Sequence, residues 1–201
     1  MKYIPIIFLV LVTSCSYSTS LRYDYFPPSE RLAESEKLQG SGLIVMSPSE
    51  ETYIYEDNPA SFTGSANTVS IEIGQITKSA SLKIFNELFS EGAYFVNNPN
   101  DFNGSYILSI EPISLINNYK FDQLSNLGFA ITPKVSIEVK VKVLNKDGEI
   151  LFNQNYSVND KSQEAYFFSG NPDEKVNELV HKEVYNMLKQ SFNEIRRDLI
   201  E

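Results

Sequence analysis

Few side chains in this 201-residue chain have the right type to do chemistry. There is one histidine, His181, and one cysteine, Cys15. A zinc site needs three or four thiolate, imidazole or carboxylate ligands in one place, and these two are its only soft or imidazole candidates, so no metal centre is expected. A single cysteine also rules out an internal disulfide. His181 falls beside the apolar stripe of a C-terminal amphipathic helix, where a solvated or capping histidine is expected rather than a catalytic one. The pairs Glu50/Glu51 and Glu56/Asp57 have the functional groups for acid–base work, but as sequence neighbours on a loop they read as solvated charge. Asp147-Gly148 lacks the carboxylate spacing and distal Glu of a calcium loop. Gly-x-Ser-x-Gly, His-Glu-x-x-His and phosphate-loop motifs are absent, and Gly40-Ser41-Gly42 is too short to be the last of these. No catalytic residue, cofactor or enzymatic activity is therefore expected.

Charge narrows the partners. With 17 basic against 26 acidic side chains, a net charge of −9 and a pI near 4.7, the chain lacks the basic footprint that displaces counterions from nucleic acid. Its composition, 42% hydrophobic and 21% charged, is that of a globular protein, and its length suits one domain.

The cysteine has a specific setting. Lys2 is followed by the apolar run Ile4-Pro5-Ile6-Ile7-Phe8-Leu9-Val10-Leu11-Val12, then Thr13-Ser14-Cys15. A basic start and a short apolar core make an export signal, because a permanent span of a bilayer core of about 30 Å needs about 20 residues. The small pair before Cys15 resembles the bacterial lipobox. That resemblance implies a signal peptide over 1–14, cleavage between Ser14 and Cys15, and a mature N-terminal cysteine carrying diacylglycerol and an amide-linked acyl chain such as palmitate. Two or more chains anchor stably, at about 0.8 kcal/mol per buried CH₂. A buried free cysteine after an apolar strand would leave its place at the end of that run unexplained. In this lipoprotein class Asp after the cysteine favours inner-membrane retention. Ser16 stands there instead, which implies the outer membrane, facing the periplasm. A Gram-positive cell would make this sorting step meaningless.

Residues 15–40 are expected to be the lipidated N-terminus and a tether, since prolines and polar residues prevent packing; 25 residues reach about 80 Å fully extended. The aromatic cluster Tyr23, Tyr25 and Phe26 leaves two other readings, an arm docked on the domain or one lying at lipid headgroups. A single domain over 41–201 follows. Leu43-Ile44-Val45-Met46 reads as a buried strand ended by the turn Ser47-Pro48-Ser49, with a second short piece at Tyr53-Ile54-Tyr55. Asn58 to Thr68 reads as a long loop, either a partner contact or plain surface. Val69, Ile71 and Ile73 alternate as a strand, and Ile76, Ala80, Ile84 and Leu88 predict a helix over Gln75–Ser90 stopped by Gly92. Strands follow at Tyr94-Phe95-Val96 and Tyr106–Ile110, with Pro112 allowed at an edge, a bulge or a strand end. Asn117 to Gly128 reads as irregular. Val135, Ile137, Val139, Val141 and Val143 alternate with Ser136, Glu138, Lys140 and Lys142. Asn145-Lys146-Asp147-Gly148 turns the chain into Ile150, Phe152, Tyr156 and Val158, a long hairpin. Asn171-Pro172-Asp173-Glu174 starts a last helix whose stripe runs from Val176 to Leu199; about 29 residues at 1.5 Å each make it longer than a small domain is wide, so its end is expected to overhang or fray.

This order predicts an α+β two-layer sandwich, an antiparallel or mixed sheet with two helices on one face. The lipobox, the helix 76–89 followed by Gly92-Ala93-Tyr94-Phe95-Val96, the strand 106–110, and Ile131-Thr132-Pro133-Lys134-Val135 leading into the hairpin and last helix resemble the YajG-type outer-membrane lipoproteins. They are similar also to auxiliary lipoproteins of envelope ABC transporters and to peptidoglycan-synthase activator lipoproteins. The region 42–68 and the insert 117–128 depart from that pattern. Together the lipobox, the absent catalytic motifs and these elements lead to the expectation of a lipid-anchored, non-enzymatic periplasmic domain that binds another envelope component through the loop 58–68 or the outer part of the last helix. The alternative is a small-ligand or lipid-binding module with a pocket between sheet and helices.

Overall fold

The computed structural model describes residues 16–29, 31–57, 68–96, 105–117, 120–121, 131–132, 134–161 and 172–200. Its main sheet has five strands: β2 (Gly42–Val45), β5 (Ala93–Val96), β6 (Tyr106–Asn117), β9 (Lys134–Asn145) and β10 (Ile150–Lys161), in the order β10-β9-β6-β2-β5. β9 runs antiparallel to both neighbours, whereas β2 is parallel to β6 and β5, so the sheet is mixed. A second sheet joins β1 (Ser16–Thr19), β4 (Thr68–Ile71) and β3 (Tyr55–Asp57) in the order β1-β4-β3, and β7 (Lys120–Phe121) pairs with β8 (Ile131–Thr132). Among the described residues the α-helices are α1 (Pro48–Glu51), α2 (Ile73–Phe85) and α3 (Pro172–Leu199).

The alternation of β9 translates directly into layers. Its five expected inward residues, Val135 to Val143, are buried, and α2 and α3 cover that face of the sheet. This is the α+β two-layer sandwich with both helical stripes turned inward. Ser136, Glu138, Lys140 and Lys142 point the other way but are half-buried rather than fully in water, because β6 and β10 flank them on both sides. Pro112 sits at a bulge, where the β6–β9 register slips between Pro112 and Ser114. A second slip between Ile150 and Phe152 breaks the expected alternation at the start of β10, leaving Ile150 exposed while Phe152 and Tyr156 are buried.

The β9–β10 turn is closed by backbone bonds from Asn145 N to Glu149 O and from Gly148 N to Asn145 O, and is braced by one side chain. Asn145 Oδ1 accepts from the backbone N–H of Asp147 and of Glu149, both at 2.9 Å, and Gly148 takes a φ of 82°. A Cβ at Gly148 would meet nothing within 4 Å, so Gly148→Ala isolates the conformational cost alone. The variant is expected to lose about 1–2 kcal/mol, seen as a fall of a few degrees in thermal midpoint by circular dichroism.

Two helices differ from the sequence expectation. α2 starts at Ile73, with Gly74 inside its first turn rather than ahead of it, and ends at Phe85 instead of Ser90. It stops early because residues 88–91 bond elsewhere: Leu88 O accepts from Leu38 N, Ser90 N donates to Leu38 O, and Glu91 N donates to Gly40 O. Leu88 and Phe89 still reach the core, from the turn after the helix. α1 follows the strand that Ser47-Pro48-Ser49 was expected only to end. Ser47 Oγ accepts from Glu50 N while Glu50 Oε2 accepts from Ser47 N, a capping box with Pro48 at the first helical position.

Candidate functional site

Ser14, Cys15 and the signal region lie outside the described residues, as does the loop 58–67. The described chain begins at Ser16, and that residue already belongs to β1, paired in parallel with Thr68 of β4. Of the readings this segment allowed, the structure therefore shows the arm docked on the domain and not the extended tether. Within 16–40 the side chains of Phe26, Leu32 and Leu38 are buried in the main core, so burial of apolar surface holds this segment down as an arm. Of the aromatic cluster, Phe26 is buried, Tyr25 is half-buried, and Tyr23 is 70% exposed.

The arm crosses α3 at the chain's single histidine. His181 is completely buried, which corrects the expectation of a solvated or capping side chain. Its Nε2 lies 2.9 Å from the backbone nitrogen of Arg22, and its Nδ1 lies 2.8 Å from the backbone oxygen of Asn177, one turn earlier on the same helix. A backbone N–H can only donate, so Nε2 is the unprotonated acceptor and Nδ1 carries the proton that Asn177 O accepts. The rings of Tyr25 and Phe26 both have centroids 5.3 Å from the imidazole. Phe26 also stacks on Tyr185 at 6.1 Å.

Further bonds clamp both ends of this crossing. Asn177 Nδ2 donates to Ser20 O at 3.0 Å, and Lys83 Nζ from α2 donates to Phe26 O at 3.0 Å. Ser29 Oγ donates to Lys83 O at 3.3 Å. Arg22 holds Asp24 by two parallel bonds of 2.9 and 2.7 Å and lies over the Tyr25 ring at 4.9 Å. Burial holds the His181 imidazole below its ordinary range, and the nearby Arg22 cation acts the same way; the bond to Asn177 and the Asp24 charge work in the opposite direction. Burial raises the Tyr25 hydroxyl.

The other sequence candidates take structural places. Glu50 caps α1, and Glu51 pairs with Lys78 of α2 at 2.5 Å. Asp57 accepts from the Tyr55 hydroxyl at 2.9 Å. The α3 stripe does not overhang: Val176, Val180, Val184, Leu188 and Ile195 are fully buried, and Leu199 and Ile200 pack against the core. An open groove runs along the solvent side of α3, lined by polar side chains including Lys189, Gln190, Asn193 and Arg197. Among the described residues, no group of three or more His, Cys, Asp or Glu could hold a metal ion, and no helix is long and apolar enough to cross a membrane. The arm–histidine contact was missed at the level of sequence. The signal available for it was that His181 falls four residues from Asn177 and from Tyr185, on one helical face.

Fold and site together define an α+β two-layer sandwich with an N-terminal arm strapped across its helices. In sequence the chain matches no protein-family model and no curated protein. In structure it is similar to a Xanthomonas campestris protein of family DUF330, with a TM-score of 0.56 at 10% identity, over 92% of this chain and 98% of that one. It is similar more distantly to an uncharacterized lipoprotein B from Nitrosomonas europaea, with a TM-score of 0.43 at 14% identity over 84% of this chain and 88% of that one. A minor lipoprotein from Acinetobacter baumannii follows, with a TM-score of 0.39 at 9% identity over 78% and 93%. The Xanthomonas likeness establishes a shared fold.

Proposed function

We propose that this chain is a lipoprotein of the bacterial cell envelope, anchored through acyl chains on Cys15, that acts by binding another envelope component and catalyses no reaction. The observation that carries the reading is the placement of the only cysteine, directly after Thr13-Ser14 and an apolar run too short to span a bilayer. Ser16 in place of Asp favours the outer membrane, with the domain facing the periplasm. The resemblance to small envelope lipoproteins of the YajG and transporter-auxiliary kind supports the same reading. The early start of β1 adds a spatial consequence: the acyl chains join the domain within one residue of a strand, so the domain is held at the bilayer surface rather than away from it. Cleavage of the signal would remove Lys2 and leave 16 basic against 26 acidic side chains, a net charge of −10 that keeps the domain from spreading over anionic headgroups.

The test is replacement of the attachment point. The natural chain is expected to incorporate radioactive palmitate and to fractionate with the outer membrane, whereas Cys15→Ser is expected to lose both completely. A serine variant that still takes up label and stays in the membrane would overturn the anchor. Crosslinking in intact cells followed by mass spectrometry tests the partner claim, which requires a discrete envelope component recovered on the domain.

A further inference from the structure

We propose that His181 is an acid-released latch for the N-terminal arm: protonation of its Nε2 breaks the bond from Arg22 N–H and lets the segment 16–26 leave α3.

The geometry makes the imidazole a one-state partner. With Arg22 N–H donating into Nε2 and Nδ1 donating to Asn177 O, the docked ring is neutral and both nitrogens are used. A proton on Nε2 sets two donors against each other at 2.9 Å, and the ring is buried under Tyr25 and Phe26, where water cannot relieve it. Once the arm lifts, those two rings leave with it. The imidazole then faces solvent from α3 with the Asn177 carbonyl still in place to accept from Nδ1, and it takes a proton near the ordinary 6.5. Neighbouring charges do not cancel the effect. On the arm, Arg22 and Asp24 form a tight exposed pair that departs as a unit, removing one cation and one anion together. On α3, Glu174 and Glu178 lie near the Tyr25 ring, Glu178 pairs with Lys175, and Lys182 pairs with Glu183 and with Asp160 of β10. From α2, Lys83 points at the Phe26 carbonyl and ring, not at the imidazole.

The sign follows from linkage. The docked state holds His181 below its ordinary value, so the released state binds more protons in the window below about 6.5. Docking is fully favoured above that pH and weakens as the pH falls through it, about fivefold in the ratio of released to docked arm over the first pH unit and approaching tenfold per unit below that, until the docked ring itself protonates. Because the chain has one histidine, a step in this range reports on one ring. With the lipid attachment proposed above, release accompanied by unpairing of β1 from β4 turns a surface-held domain into one on a leash of 11 residues, about 35 Å long at full extension. That consequence rests on the anchor; the latch does not, and Cys15→Ser is expected to show the same acid step.

The experiment measures hydrogen exchange in the arm peptide of the purified full chain in detergent from pH 7.5 to 5.5, corrected for intrinsic exchange, beside long-range ¹H–¹⁵N NMR of the imidazole. Expected are an Nδ1-protonated neutral tautomer, a midpoint below 6.5, and arm opening that rises about fivefold between pH 6.5 and 5.5. His181→Gln, whose side-chain oxygen accepts from Arg22 N–H without titrating, is expected to keep the arm docked with no acid step. An Nε2-protonated tautomer, a midpoint at or above 6.5, opening independent of pH, or an unchanged step in His181→Gln would each overturn the latch. The tautomer and midpoint come from the natural chain, so they decide the matter even if the variant fails to fold.

Discussion

Replacing Phe192 with alanine is expected to remove about 3–5 kcal/mol of stability, the cost of truncating a fully buried aromatic ring. Phe192 is 1% exposed and is among the largest fully buried side chains. It lies on the α3 stripe between Leu188 and Ile195, both without exposed surface, where the helix packs on β9 and β10. Truncation there loses the transfer free energy of the ring and leaves a void in a core of regular helices and paired strands, which cannot collapse into the gap without losing backbone hydrogen bonds. For a chain of this length each kcal/mol shifts the thermal midpoint by about 2–4 °C, so a fall of about 6–20 °C is expected by calorimetry. Lys189 lies over the same ring at 4.2 Å, but its ammonium is at the surface, so Lys189→Ala is expected to cost less than about 1 kcal/mol. Similar losses in the two variants would mean that the ring is not the keystone of this contact.

Gly74→Ala is expected to cost about 3 kcal/mol or more, although alanine is ordinarily the better helix former. A Cβ at Gly74 would fall 2.2 Å from Glu50 O and 2.4 Å from Glu51 O. Both atoms are backbone, so no side-chain rotation relieves the clash and α1 must move away. Overpacking by itself costs about 1–3 kcal/mol. The displacement also strains the bonds joining α1 to α2: Gly74 N to Tyr53 O at 3.0 Å, Gln75 Nε2 to Glu51 O at 3.0 Å, and the Lys78–Glu51 pair. These are worth about 1 kcal/mol each. The expected readout is a lowered urea midpoint with an unchanged slope. A neutral or stabilising substitution would show that α1 is free to shift, and that the close contact is not needed to hold it.

Legibility in the sequence followed the range of the interactions involved. The β9–β10 hairpin could be read because everything that makes it is local: alternation of period two on each arm, and Asn145 and Gly148 supplying the turn. α3 was equally plain, from Pro172 at its first position and an apolar stripe repeated over 28 residues. The capping box at Ser47 and Glu50 was present as a pattern but passed for a simple turn, because one turn of helix has too few residues for a stripe. Elsewhere local pattern misled. Leu88 continues the α2 periodicity, yet the helix has ended by then, since Leu38 arrives from fifty residues away to take its backbone bonds.

The first forty residues show the division most clearly. Their sequence by itself carries the proposal of an export signal ending at the single cysteine, because that reading depends on the length of an apolar run and the residues beside it, not on a folded context. It equally determined that the sheet would be covered on one face by two helices, since period-two and period-3.6 stripes leave each element one side to bury. What the sequence left undecided was the order β10-β9-β6-β2-β5, with a parallel strand inside, and the fate of residues 16–40. Prolines and serines mark that segment as unable to build a core of its own. Only the tertiary structure supplies the groove, Asn177, His181 and Tyr185 on α3 and Lys83 on α2, that accepts its few apolar side chains and its backbone polar groups. A segment with too little apolar surface to fold alone can be held by a surface already folded, and that surface does not exist until residues more than 150 positions apart have come together.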